Sequence, residues 1–171
     1  MELNTALERV LRSYESYYTV RRNTPPAPFA AEAVFHAHGE GYFLVKQAKF
    51  AEVDSHEYVF FALEPTLTPE RVRDLSAQAW EEGISRVEPT SVHRASDVLL
   101  LILTDELTPL AQQAVKRTRF VKSYRLGLQG YSHFRLAAIE PATLLSAHNR
   151  MGEDLAKLLS NIFREERREN I

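Results

Sequence analysis

Apolar residues Leu3, Leu7, Val10, Leu11, Tyr14 and Tyr17 recur every three or four positions, the spacing that gathers them on one side of an α-helix. The stripe predicts a first helix ending near Arg22, because the segment Asn-Thr-Pro-Pro-Ala-Pro-Phe beyond it removes backbone donors and fixes an extended path. Residues 30–53 then read as two strands around a Gly39-Glu40-Gly41 turn, and residues 56–63 as a third, with antiparallel pairing the economical arrangement.

Two later segments echo each other. Residues 60–69 and 100–109 both run from an apolar strand through an acidic residue into Leu-Thr-Pro, so Thr68 and Thr108 suit helix N-caps and Pro69 and Pro109 the first helical positions. The helix after Pro69 should bury Val72, Leu75 and Ala79 and stop near Gly83; the one after Pro109 should bury Leu110, Ala114 and Val115. Val-Leu-Leu-Leu-Ile-Leu at 98–103 lacks alternation, as a central strand covered on both faces would. Residues 120–139 read as a hairpin turning near Gln129-Gly130. A last helix over 152–167 carries Leu155, Leu158, Leu159, Ile162 and Phe163 on one side, before a polar tail, 168–171, that should fray. The pattern predicts one domain, 1–171, of mixed α/β (α+β) class: a single mixed β-sheet flanked by helices in the order α-β-β-β-α-β-α-β-β-α.

Composition narrows the chemistry. With 171 residues, 44% of them apolar, the chain can bury one sizeable core, and with no cysteine it has no disulfide framework, zinc ribbon or thiolate nucleophile. The first residues carry charges throughout and do not read as a signal peptide, and the longest apolar run is too short to span a bilayer, so a cytoplasmic protein is expected. No Gly-rich phosphate loop is present.

Charge is segregated although the net is only -2: residues 107–139 contain no Asp or Glu but do contain Lys116, Arg117, Arg119, Lys122, Arg125 and Arg135. Phe120, Tyr124, Tyr131 and Phe134 are interleaved with these cations, a combination that single-stranded nucleic-acid binders use for stacking and phosphate contact. The competing expectation is a solvated sheet with rings inward and cations in water. The candidate anion-binding set is Lys116, Arg117, Arg119, Lys122, Tyr124, Arg125 and Arg135.

Gln47-Ala48-Lys49 and the order helix, three-strand meander, helix, strand over roughly residues 5–103 resemble the core of the restriction-endonuclease-like nuclease superfamily. The resemblance implies Glu32 as ligand of a divalent metal, Gln47 in the altered second position and Lys49 orienting the attacking water. A two-residue turn at Gly39-Glu40 would set Glu32 opposite Gln47 with Lys49 on the same face. A turn at Glu40-Gly41 would instead pair Glu32 with Lys49 as a plain cross-strand ion pair. One Glu and one neutral amide supply little charge for a hard cation such as magnesium, so the structural account of these residues carries more weight.

His36 and His38 share a strand face and could contribute to a metal site, although paired histidines at a strand end are commonly surface residues. Asp54, Ser55, His56 and Glu57 alternate in direction on an extended chain and form no triad. Two functions remain. The first is a non-catalytic cytoplasmic interaction module that needs no cofactor and binds a nucleic acid or other anionic partner through the basic-aromatic hairpin, with a homodimer through the C-terminal helix left open. The second is a metal-dependent nuclease. The incomplete catalytic set favours the first.

Overall fold

The structure, a computed structural model, describes residues 1–37, 54–89 and 93–169. Its axis is β4 (His93–Leu107), where Val98, Leu99, Leu100, Leu101, Ile102 and Leu103 are all at most 1% exposed. A strand has two faces, so so complete a burial requires cover on both. It also has two edges, and both are taken by parallel neighbours, β3 (Asp54–Leu67) and β6 (Tyr131–Ile139).

The described sheet has seven strands in the order β1-β2-β3-β4-β6-β5, with β7 also on β6. β1 (Thr19–Arg21) and β2 (Ala31–Ala37) extend it antiparallel beyond β3; β5 (Val121–Ser123) and β7 (Ser146–His148) pair antiparallel with successive parts of β6. Alternation along the strands divides the core into two layers. Val59, Phe61, Leu99, Leu101 and Ile139 pack with α1 (Leu3–Tyr14) and α4 (Glu153–Glu169). Phe60, Ala62, Leu100, Ile102 and Phe134 pack with α2 (Pro69–Ser85) and α3 (Pro109–Arg117). The expected mixed sheet flanked by helices is therefore present.

The two echoing segments lie side by side in register, Phe60 on Leu100 and Leu67 on Leu107. Both threonines cap as expected: Thr68 Oγ1 accepts from Arg71 N at 3.3 Å and Thr108 Oγ1 from Ala111 N at 3.2 Å. Thr108 also donates to Leu67 O at 2.9 Å, tying one unit to the next. Losing a cap costs about 1 kcal/mol, so Thr68→Ala should destabilise by about that amount. Thr108→Ala should cost about 1 kcal/mol more, because it also strips a partner from Leu67 O. Urea unfolding of the two variants measures the difference.

Four expectations change. The first helix ends at Tyr14 rather than Arg22: Tyr18 N bonds back to Tyr14 O, and the β-branched Thr19 and Val20 enter β1. Tyr17 is accordingly 57% exposed, while Tyr14 meets Tyr18 and Phe61 edge-on. Leu110 is 64% exposed, because Pro109 opens a short helix whose inward positions, one turn apart, are Ala111 and Val115. The C-terminal tail is helical through Glu169, beyond the expected start of fraying. Its apolar stripe lies on the protein's own sheet and α1, with Leu155, Leu159 and Phe163 buried there and Leu158 and Ile162 partly buried.

The fourth change concerns the predicted hairpin. Its second strand lies outside the described residues, and β2 pairs directly with β3, Ala31 with Phe61 and Ala37 with Ser55. At Glu32 both edges of β2 are occupied, by Arg21 of β1 and Phe60 of β3. Neither register that placed Glu32 opposite Gln47 or Lys49 is formed. No helix among the described residues is long and apolar enough to cross a membrane.

Candidate anion-binding cleft

β6 has a gap in its outer edge. β5 pairs along Tyr131–His133 and β7 along Ala137–Ile139, which leaves the polar backbone around Phe134 and Leu136 without a full strand beside it. Buried backbone groups need partners, and the Asn149 side chain supplies them. Its Oδ1 accepts from Leu136 N at 3.0 Å, and its Nδ2 donates to Phe134 O at 2.9 Å and Thr118 O at 3.1 Å. One amide thus stands in for a strand and joins the end of α3, β6 and the turn before α4. Gly152 lets that turn close, since a Cβ there would lie 2.2 Å from Leu136 O.

Beside this joint is a cleft of about 460 Å³. Lys116, Arg117 and Arg119 reach it from the end of α3 and the following loop, and Arg150 from the turn beyond β7. All four are exposed, and none forms an ion pair with a carboxylate among the described residues. Phe120 lies in the wall, anchored by the Trp80 ring at 5.5 Å and 17° and by Phe134 at 5.3 Å. Tyr131 and His133 also line it, their rings stacked 6.3 Å apart at 26°. His133 Nδ1 is 3.6 Å from Asp97 Oδ1. Four cations lining one cleft with no carboxylate partner among the described residues create a local positive field that an anion lowers.

Of the residues expected to bind anions, the structure brings together Lys116, Arg117 and Arg119. Lys122 and Arg125 point elsewhere: Lys122 Nζ sits 5.3 Å over the Tyr124 ring, and Arg125 begins a 3₁₀ turn, Arg125–Gly127, with φ 47°. Tyr124 is buried, its hydroxyl 3.0 Å from Ser132 Oγ, and burial pushes its phenol upward. Arg135 is turned to other partners: its Nη1 lies 3.5 Å from Glu57 Oε1 and its Nε donates to Met151 O. Phe120 and Phe134 turn inward with Tyr124, so of the four interleaved rings only Tyr131 remains open, at 44% exposure. Arg150, Asn149 and His133 were missed. A signal existed: residues 141–152 also lack acids, and the single acid separating them from the basic segment, Glu140, is buried and bonded to Leu107 N and Thr143 Oγ1.

The family model described as "Domain of unknown function (DUF8052)" matches residues 2–161. The chain belongs to the DUF8052 family. No curated protein and no solved structure matches it. The match takes in every residue of the cleft, from Lys116 to Met151, so the cleft lies inside the DUF8052 domain.

The residues of the nuclease resemblance lie elsewhere. Glu32 is 2% exposed and held between two guanidiniums, Arg86 Nη2 at 2.8 Å and Arg21 Nη1 at 3.2 Å, with Glu82 on the far side of Arg86. Gln47 and Lys49 lie outside the described residues. β3, the strand next to Glu32, contains no lysine. His36 meets His56 across the β2–β3 ladder, Nδ1 to Nδ1 at 2.5 Å, and His38 lies outside the described residues. Among the described residues no three His, Asp or Glu side chains converge as a metal site would require.

A second cavity of about 250 Å³ opens between α1 and α4 over Tyr18, Glu57 and Arg135. Tyr18 donates its hydroxyl to Glu57, and burial together with that carboxylate pushes the Tyr18 phenol far upward, so it stays protonated. Tyr14 is raised by burial and then by Glu57. Here Glu57 and Arg135 already face each other, at 3.5 Å, unlike the four cations of the cleft beside Asn149.

Proposed function

We propose that this domain is a non-catalytic cytoplasmic interaction module that holds a polyanionic partner in the cleft of Lys116, Arg117, Arg119 and Arg150. What supports it is the convergence of four cations with no carboxylate partner among the described residues, in a chain whose net charge is -2. Had the acids of the fold been placed to neutralise them, as Glu32 neutralises Arg86, no such field would remain. The role of the domain is to bind: the cleft offers cations and one open ring, with no nucleophile paired to a base.

Titration of the protein with a fluorescent single-stranded oligonucleotide tests the proposal. Four neutralised phosphates give a salt slope of about -2.8, so affinity should fall roughly 50-fold between about 50 and about 200 mM salt. Binding that ignores salt, or none at the lower concentration, would refute it.

A further inference from the structure

We infer that the cleft takes one nucleotide of a single-stranded nucleic acid, with the base laid on Tyr131 and the flanking phosphates on the four cations. This rests on the polyanion reading above and adds a requirement for a base. Three observations carry it beyond charge.

The first is the fate of the rings. With Phe120 packed under Trp80, and Phe134 and Tyr124 buried, the cleft offers Tyr131 alone of the four interleaved rings rather than a strip, so it can stack one base rather than several. The second is that the Tyr131 ring is held in place. One neighbour is the near-parallel His133 ring, and its hydroxyl end lies against Gly127, where a Cβ would be 2.2 Å from the Tyr131 oxygen. Gly127 has φ 88°, so a residue without a side chain is required there both by the backbone and by the ring. A preset ring spares the ordering cost that a free side chain would meet on stacking. The third is the arrangement: cations and ring line a single cavity of about 460 Å³, which places a planar heterocycle and its own phosphate within reach together. Duplex DNA cannot offer a base face to Tyr131 without unstacking it, so the ring selects single strands.

The test compares a single-stranded oligothymidylate with an abasic deoxyribose-phosphate chain of equal length, and with a duplex, on the full chain. The oligothymidylate should bind about tenfold tighter than either, the contribution of one stacked base. Tyr131→Ala should erase that advantage, and a thermal melt matching that of the unaltered protein shows that the variant is folded. Tyr131→Phe should keep it. Equal binding of the oligothymidylate and the abasic chain by the unaltered protein, or a Tyr131→Ala variant that retains the preference, would overturn the inference and leave the polyanion reading standing. Failure of both chains to bind would remove the two together.

Discussion

Glu32→Ala should destabilise the domain by about 3 kcal/mol. Glu32 is 2% exposed on β2, between β1 and β3, and its two oxygens are divided between Arg21 and Arg86. Removing one member of a buried ion pair costs about 3–5 kcal/mol, because the remaining charge is left without compensation. The lower end applies here, since Arg21 is 58% exposed and can turn to water, and Arg86 retains Glu82 at 2.8 Å. Arg86 would suffer most: its guanidinium also lies 5.4 Å from the Phe60 ring, so it cannot leave without exposing that contact. Arg21→Ala should therefore cost under about 1 kcal/mol, as for an exposed partner. Denaturant unfolding of both variants provides the comparison, and equal effects would show that burial of the Glu32 carboxylate is not what matters.

Replacing Lys116, Arg117, Arg119 and Arg150 together with Gln should weaken oligonucleotide binding by roughly three orders of magnitude at about 50 mM salt, the counterion-release contribution of four phosphate contacts on a single strand. Stability should hardly change. All four side chains are exposed and make no ion pair among the described residues, so nothing folded is lost with them, and removing mutual repulsion works in the opposite direction. The same replacement at Lys122, Arg125 and Arg135 should weaken binding far less. Lys122 and Arg125 do not line the cleft, and Arg135 is turned toward Glu57. Equal loss in the two variants would mean that the field of the whole segment matters rather than this cleft.

The parts of the fold that could be read from sequence are those where local pattern and tertiary environment agree. The central strand announced itself because 98–103 carries no polar position for either face, and the Leu-Thr-Pro echo fixed two helix starts because capping is decided within four residues. β1 and β7 escaped because three residues carry no period, and their strand state comes from the neighbour each one pairs with. Glu32 read as a candidate metal ligand through the nuclease resemblance, and its partners Arg21 and Arg86, 11 and 54 residues away, leave no local sign of the ion pairs.

The site was legible in charge and illegible in direction. An acid-free window marked the basic segment, yet Arg135 meets Glu57 while Tyr131 and His133, of the same parity on β6, line the cleft, so strand alternation alone does not place it. Arg150 joined the site through Asn149, a single amide closing a gap between two edge strands, and such a joint leaves no periodic trace.

The salt slope of oligonucleotide affinity, measured for the unaltered protein and for the variant with Lys116, Arg117, Arg119 and Arg150 replaced by Gln, shows whether these four cations hold the polyanion. The cleft predicts a slope of about -2.8 that collapses to near zero in the variant, each lost contact removing about 0.7. A slope unchanged by the four substitutions would place the binding surface elsewhere and contradict the account.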